Sequence, residues 1–247
     1  MMEKRAPGGA AQRLRSGKET MNGERLIKTE FHLHTAETSP CGMVPGAELV
    51  RVCADRGFGG IIVTDHYIAG MFDSEKPRSQ YLKGYREARR AGEALGVTVL
   101  PGMEFRFADA ENDFLIYGME EADFAAFPET LWYAALPDLH AYCRAHGFLL
   151  FQAHPFRSWC KVQDPAFLDG VEVWNGNVRQ TNNNPLALAF AREHRLLESA
   201  GGDVHQLTDV RDQGMLVPER FLTPKGIVQF LLTRPPVGTA YAPLFQE

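Results

Sequence analysis

From residue 26 onward, short runs of apolar and β-branched residues alternate with longer amphipathic segments. This alternation is typical of an α/β fold in which helices cover a mainly parallel sheet. The predicted strands are residues 26–33, 60–64, 98–103, 114–117, 148–153, 171–174 and a short strand that ends near Gly202. The sequence contains no internal repeat or linker, so we expect one domain over residues 21–247.

Three segments have the pattern of amphipathic helices that end at a glycine. They are residues 45–57, 79–96 and 137–147, which end at Gly57, Gly96 and Gly147. Glycine is common just past the end of a helix because it adopts the left-handed backbone conformation there without strain. The helices therefore fall between predicted strands, as the α/β interpretation requires.

Residues 1–20 contain glycine, proline and scattered charges but lack the apolar segment of a secretory signal peptide. We predict that they form a disordered extension, either a true upstream segment or the product of a start codon assigned too early, because Met21 directly precedes the first predicted strand.

The composition narrows the classes of function. A chain of 247 residues with 45% hydrophobic content can form a sizeable core. Its net charge of -5 argues against a broad surface for duplex nucleic acid. The four cysteines form no CxxC pair, and no apolar run approaches the roughly 20 residues that span a membrane. We predict a cytoplasmic protein without a membrane partner.

Histidines and acids recur where the predicted strands end. The sequence HLH contains His32 and His34, which would lie about 6.6 Å apart on one face of a strand and would diverge on a helix. The other strand ends carry TDH (Asp65, His66), GME (Glu104), AHP (His154) and GGDVH (Asp203, His205). The C-terminal ends of strands in an α/β barrel surround one pocket, so these groups are candidates for a metal centre.

Two further interpretations follow from local spacing. Adjacent residues on an extended backbone point to opposite faces, so we expect His66 to be a ligand and Asp65 an acid that supports the site. By contrast, His140, His146 and His194 fall within helical patterns away from these clusters. We predict that those three lie on solvated helix faces.

The ordered motifs HxH, TDH, GxE, AHP and GGDxH resemble those of the PHP family, named for its polymerase and histidinol phosphatase members. The resemblance extends over residues 28–206 and implies a distorted (β/α)7 barrel with a trinuclear metal site that hydrolyses phosphoesters. It implies that His32, His34, Glu104 and Asp203 hold one metal, that Glu104 bridges to a second metal bound by His154, and that His66 and His205 hold the third.

Two positions depart from the family pattern. Many members read HxHTxxSDG, whereas this chain reads HLHTAETSPCG, so Glu37 or Cys41 would replace the usual ligand. We prefer Glu37, because a carboxylate suits a hard hydrolytic cation and a thiolate suits zinc. A histidine expected after the GxE acid is absent, and Asp113 is the candidate there, with surface exposure as the alternative.

The donor set fits two or three divalent transition metals, namely zinc, manganese or iron, with a metal-bound hydroxide as the nucleophile. We group Asp65 and Arg157 as catalytic, and predict that Arg157, Asn175, Asn177 and Arg179 bind a small phosphorylated substrate. Arg157 alternatively forms a surface salt bridge, and the asparagines alternatively serve as turn residues. Two other functions stay open, a 5′–3′ exonuclease of short oligonucleotides and a non-catalytic metal-binding module.

Overall fold

Strands and α-helices alternate along residues 20–21 and 23–235, which are the residues that this computed structural model describes. The strands are β1 (Thr20–Met21), β2 (Glu24–Leu33), β3 (Gly60–Val63), β4 (His66–Ile68), β5 (Thr98–Pro101), β6 (Met103–Arg106), β7 (Asp113–Tyr117), β8 (Leu149–Gln152), β9 (Gly170–Asn175), β10 (Leu197–Gly201) and β11 (Met215–Pro218). The helices are α1 (Gly46–Asp55), α2 (Lys83–Leu95), α3 (Glu121–Ala126), α4 (Leu136–His146), α5 (Asn184–His194) and α6 (Pro224–Leu232). The predicted α/β class is confirmed.

The strands form two sheets. The first has the order β1-β2-β3-β5, with β11 also paired to β2, and the second has the order β10-β9-β8-β7-β6-β4. Pairing is parallel in β2-β3-β5, in β4-β6 and in β8-β9-β10. Parallel neighbours place the carboxyl ends of their strands at one edge, which is where the histidine and acid motifs lie.

Backbone hydrogen bonds connect the two sheets on both sides. After β3 and β5 end, pairing continues through Thr64 N–H to Leu33 O (2.9 Å) and Glu104 N–H to Asp65 O (3.1 Å). On the other side, Val204 N–H donates to His32 O (3.0 Å) and His34 N–H donates to Val204 O (2.9 Å). The segment that carries the GGDVH motif is therefore fastened directly to the end of β2.

One of the predicted strands, β7, runs opposite to the others, and β1 and β11, which were not predicted, pair antiparallel with β2. β7 pairs antiparallel with both β6 and β8. The connection between β6 and β7 covers residues 107–112, which is too short for the crossover that parallel neighbours need. Because β7 is reversed, its first residue, Asp113, lies at the same edge as the last residues of its neighbours.

The predicted helix ends are confirmed, whereas two helices were missed. Gly57, Gly96 and Gly147 have φ values of 80°, 72° and 75° and lie one or two residues after the helices α1, α2 and α4. The missed helices are α3 and α6. The helical pattern around His194 indicated α5, which begins at Asn184 with Pro185 in its first turn, a favourable place for proline.

Aromatic packing fixes the strands that bear the second and third motifs. Tyr67, in β4 next to His66, contacts the rings of Phe127 and Trp132 with centroid distances of 5.4 and 4.9 Å. It also stacks on Phe105, the neighbour of Glu104 in β6, at 6.5 Å. Burying these rings holds β4 and β6 in the register that pairs His66 with Glu104.

Among the described residues, no helix is long and apolar enough to cross a membrane. The predicted disordered segment lies outside the described residues except for Thr20, which begins β1. Residues 236–247 also lie outside them, and the single domain over 21–247 stays a prediction.

Gly84 lets α2 approach the loop that follows β2, and we expect Gly84→Ala to destabilise the fold. A Cβ at position 84 would lie 1.7 Å from Thr35 Oγ1 and 3.0 Å from Asp65 Oδ2. In an open helix, a change from glycine to alanine raises the free energy of unfolding by about 1 kcal/mol. Overpacking costs about 1–3 kcal/mol, so we predict a net loss of folding stability. Urea unfolding would measure it, with the exposed Lys83→Ala as control. A stabilised Gly84→Ala protein would show that α2 can move away from Thr35.

Candidate metal centre

The two histidines of the HLH motif converge at the end of β2. His32 and His34 are both fully buried, and their Nε2 atoms lie 3.1 Å apart. Asp203 Oδ1 lies 3.5 Å from His32 Nε2 and 3.4 Å from His34 Nε2. Two imidazole nitrogens and a carboxylate oxygen from distant parts of the chain therefore point at one place.

Glu104 lies at the middle of the cluster. Its Oε1 is 3.1 Å from His32 Nε2 and 3.4 Å from His154 Nε2. Its Oε2 is 3.2 Å from His34 Nε2 and 3.0 Å from His66 Nδ1. The parallel register of β4 and β6 places His66 directly beside Glu104. One carboxylate thus faces four imidazoles, the position that a bridging ligand would occupy.

Asp113 belongs to the cluster and is not a surface residue. It is 3% exposed, and its carboxylate lies 3.8 Å from His154 and 3.9 Å from His66. Its two oxygens also accept hydrogen bonds from Arg106 at 2.6 and 2.7 Å. The alternative of simple surface exposure is wrong, because antiparallel pairing in β6-β7 places Asp113 opposite Arg106 at the inner edge.

Two candidate ligands have a left-handed backbone. His154 has φ 32° and Asp203 has φ 49°, and such values strain residues other than glycine. Asp203 lies two residues after Gly201. A Cβ built at position 201 would lie 2.5 Å from His32 Cβ. The close approach of β10 to β2 needs this glycine and brings Asp203 to the HLH motif.

Buried polar groups orient the ligand histidines from behind. Glu172 Oε1 lies 2.9 Å from His32 Nδ1, and Glu172 Oε2 accepts a hydrogen bond from His154 N–H. No strand-end motif pointed to Glu172, although an acid between two valines in a predicted strand is a signal of a buried polar role. Carboxylates commonly fix the orientation of metal-binding histidines in this way.

Asp65 supports the site through its neighbours. Its Oδ1 accepts hydrogen bonds from Thr35 N–H and Ser39 Oγ, at 2.6 and 2.7 Å. Ser39 Oγ in turn lies 3.1 Å from His34 Nδ1 and accepts from His66 N–H. Asp65 is not among the residues that line the cleft, and these hydrogen bonds fit the supporting role, whereas its grouping as catalytic stays a prediction.

The preference for Glu37 over Cys41 has no support in the described residues, which place Cys41 and not Glu37 in a cluster of candidate ligands. Glu37 accepts hydrogen bonds from Gly46 N–H at the start of α1, and it belongs to none of the ligand clusters within the described residues. Cys41 lies beside His34 and His205. The candidate ligand atoms of these three residues are all within 4.8 Å of one another. The loop turns Glu37 toward the positive end of the helix, where a carboxylate is stabilised.

Charge in the buried cluster is balanced by proton uptake when no metal is bound. Burial lowers the pKa of both His32 and His34, but nearby carboxylates raise it more. Glu172, Glu104 and Asp203 raise the pKa of His32 well above its ordinary value. Glu104 and Asp203 raise the pKa of His34 to about 9. Burial raises the pKa of the Cys41 thiol, but the surrounding imidazoles lower it to about 6. The imidazoles thus carry protons that a metal would displace.

A cleft of about 290 Å³ opens onto the cluster, with three arginines in its wall: Arg106, Arg157 and Arg179. Each pairs with an acid. Arg157 Nη2 lies 2.5 Å from Asp203 Oδ2, and Arg179 Nη2 lies 2.7 Å from Asp209 Oδ2. The surface salt bridge considered for Arg157 is wrong, since the side chain is 6% exposed. Arg106 was not among the residues predicted from the sequence.

The asparagines of the segment 174–184 brace these groups. Asn175 Oδ1 accepts from Arg157 Nη2 (2.9 Å), and Asn175 itself does not line the cleft. Asn177 does line it, and its Nδ2 donates to Asp203 O (3.1 Å). The structure therefore brings Asn177, Arg157 and Arg179 to the cleft but places Asn175 behind them.

The remaining histidines lie on helices, as predicted, but one is not solvated. His146 and His194 are exposed. His140 is 8% exposed, and its Nε2 lies 3.4 Å from Asp169 Oδ1. The prediction of a solvated face is wrong for His140, whose side chain packs from α4 against Asp169, the residue before β9.

The cluster fits divalent metals on its own chemistry. Glu104 Oε1 and His66 Nδ1 are buried without a hydrogen-bond partner in the described part of the chain. Leaving buried polar atoms unpaired is costly, and a cation would satisfy both. The groups that could hold an ion are His32–His34–Asp203, His34–His66–Glu104, Glu104–Asp113–His154 and His34–Cys41–His205.

Comparison with solved structures confirms the resemblance in fold. A two-domain protein from Bacteroides vulgatus that contains a predicted PHP-like metal-dependent phosphoesterase matches with a TM-score of 0.62 and 20% identity, over 92% of this chain and 68% of that one. A proposed metal-dependent phosphoesterase from Bifidobacterium adolescentis has a TM-score of 0.53 and 16% identity, with 85% and 97% coverage. An amidohydrolase from Chromobacterium violaceum, with bound sulfate and no metal, has a TM-score of 0.56 and 17% identity, with 84% and 97% coverage. No protein-family model and no curated protein matches the sequence.

We expect the metal-free protein to lose stability as pH rises from 6.5 to 9. The pKa of His34 and of His154 is about 9 in the folded protein against 6.5 as the ordinary value, so the folded state binds more protons in that interval. Their contribution is fully present below pH 6.5 and is lost as pH passes 9. The lowered pKa of Cys41 acts in the opposite direction, but it is one group against four, since the pKa of His32 and of His66 is also raised.

Urea unfolding of chelator-treated protein across this interval measures the effect. Zinc-loaded protein is the control, because bound metal replaces the protons and removes the decline. A metal-free protein whose midpoint holds steady or rises would contradict the charge balance described above.

Proposed function

We propose that this chain is a metal-dependent phosphoesterase that hydrolyses a small phosphorylated substrate, such as a phosphomonoester or a nucleotide. The observation that carries the proposal is the cluster around Glu104, which opens into a cleft whose wall contains Arg106, Arg157 and Arg179. Imidazoles and carboxylates bind transition metals, and guanidinium groups bind phosphate. The similarity in fold to metal-dependent hydrolases supports the same conclusion.

The proposed cofactors are two or three ions of zinc, manganese or iron. His32, His34 and Asp203 would hold one ion, and Asp113 and His154 a second, with Glu104 shared between them. His66 and His205 remain for a third, as the family resemblance implies. Bound ions would supply an activated water and positive charge next to the phosphoryl oxygens.

The chain's own residues would orient the substrate. Arg179 is 40% exposed and lines the cleft, so its guanidinium can reach an anion while it stays near Asp209. Arg157 is buried against Asp203 and would act at the inner end of the cleft. The arginines favour a phosphoester over an amide, because a tetrahedral dianion needs several cationic donors at once.

We also propose that the two sheets close into the distorted seven-stranded barrel. What supports it is the continuation of β3 into β4 and of β5 into β6, together with the bridge between Leu33 and Val204. Counting each continued strand once, β2, β3/β4, β5/β6, β7, β8, β9 and β10 form a ring. The candidate ligands then surround one end of it.

The cleft volume favours a small substrate over the rival exonuclease activity. The cleft volume of about 290 Å³ lies just below the usual range for small-molecule sites, which is on the order of 300–1,000 Å³. Short oligonucleotides remain in the test panel, and duplex nucleic acid is not expected, given the net charge of -5. A cytoplasmic location stays a prediction from the sequence.

Replacing Glu104 with Gln should remove bound metal and hydrolysis together. Gln keeps the size of the side chain but removes the charge that faces four imidazoles. Changes around metal sites commonly cost about 10- to 100-fold in affinity or activity, and we expect at least this. Elemental analysis and a panel of phosphomonoesters, nucleotides, 5′-phosphorylated oligonucleotides and amides provide the measurements.

The matched control is His146→Gln, which changes an exposed histidine on α4. It should keep full metal content and full activity. If Glu104→Gln behaves like this control, Glu104 does not bridge metals. A wild-type protein that binds metal but hydrolyses nothing in the panel would favour the non-catalytic module.

Replacing Arg179 with Ala should raise the KM for a phosphorylated substrate while metal content stays the same. Losing a hydrogen bond to a charged group costs roughly 1.5–3 kcal/mol, or on the order of 10- to 100-fold in KM. Arg211→Ala is the control, because Arg211 is exposed and not part of the cleft wall. An unchanged KM for Arg179→Ala would remove Arg179 from the proposed phosphate contacts.

A further inference from the structure

Cys41 occupies a loop position that is fixed from several sides. The loop lies between β2 and α1, and Met43 N–H donates to His205 O (2.9 Å) while Ala36 N–H donates to Val44 O (3.0 Å). Gly42 packs so closely that a Cβ there would lie 2.4 Å from Thr35 O. The thiol is therefore held in the cleft wall by the same contact that positions the His205 segment.

The thiol lies within a cluster of imidazoles. The candidate ligand atoms of His34, Cys41 and His205 all lie within 4.8 Å of one another. The rings of His34 and His205 stack with centroids 4.5 Å apart, and the ring of His66 lies 4.7 Å from that of His34. This is a set of two nitrogens and one sulfur with an open side toward the cleft.

The set differs chemically from the other three groups that could hold an ion. Each of those includes a carboxylate from Glu104, Asp113 or Asp203, which suits hard ions such as manganese as well as zinc. The Cys41 group has no carboxylate, and thiolate with imidazole is a donor set typical of zinc.

We propose that Cys41 is a ligand of the third ion, which it would hold together with His205 beside the ring of His34, and that its thiolate makes this position select zinc-like ions over manganese. The inference rests on the proposed function only in placing metals in this cleft. It adds that the cleft holds two kinds of position, one with sulfur and others rich in oxygen.

Cobalt substitution tests the assignment without an activity assay. Chelator-treated protein refilled with cobalt should show a thiolate-to-cobalt charge-transfer band in the near ultraviolet. Cys41→Ser should lose the band. Cys160→Ser is the matched control, since Cys160 is also half-buried and its Sγ lies 3.6 Å from His154 Nδ1. That variant should keep the band.

Metal preference provides a second readout, which also covers the case in which Cys41→Ser folds poorly. Cys41→Asp should keep an ion at this position but lower the ratio of zinc to manganese affinity by at least about tenfold, since oxygen replaces sulfur. Competition titration of the two metals measures the ratio in both proteins.

The outcomes separate this inference from the proposed function. A cobalt band that depends on Cys41, with no hydrolysis of any substrate in the panel, upholds the ligand and overturns the phosphoesterase. Hydrolysis without a band in cobalt-loaded wild-type protein overturns the ligand alone. A band that vanishes in Cys160→Ser and persists in Cys41→Ser assigns the thiolate to Cys160 and overturns the proposal.

Discussion

The contact of one buried carboxylate with four imidazoles is the constraint on which the rest of the structure depends. Glu104 is 1% exposed, and His32, His34, His66 and His154 each approach it within 3.4 Å. Charges this close and this buried are stable only with protons or metal ions to balance them. The surrounding structure accordingly holds ligands rigidly, in left-handed backbone at His154 and Asp203 and by a close glycine contact at Gly201.

The sequence predicted the cluster well because its ligands sit at strand ends, where local pattern and chemistry coincide. His32 and His34 share a face of β2, and each remaining motif ends or begins a strand at the same edge. The sheet is mainly parallel, as predicted, and among the predicted strands only β7 is reversed, because the connection before it is short. Strand ends are local features, whereas strand direction depends on connection length and on packing with distant residues.

Features that depend on long-range contacts were harder to predict. Glu37 and Cys41 lie in one loop, and its path depends on contacts with distant residues, such as the hydrogen bond from Met43 N–H to His205 O. Glu172 lies within a strand, so no strand-end rule identified it. Arg106 pairs with Asp113 through the antiparallel register of β6 and β7, and that register followed from the reversal that the sequence pattern did not indicate.

The arginines of the cleft follow a common arrangement that would link the proposed substrate binding to the candidate metal centre. Arg106 pairs with Asp113, and Arg157 pairs with Asp203, so each guanidinium binds an acid of the ligand cluster. Arg179 pairs with Asp209, whose Oδ2 accepts a hydrogen bond from His205 N–H. Arginine stays protonated in all three pairs and offsets the negative charge of the acids before an anion arrives. A phosphate bound there as proposed would weaken the hold of these guanidinium groups on the carboxylates, and the freed carboxylate charge would favour metal binding. By linkage, metal and phosphate should therefore each strengthen the binding of the other.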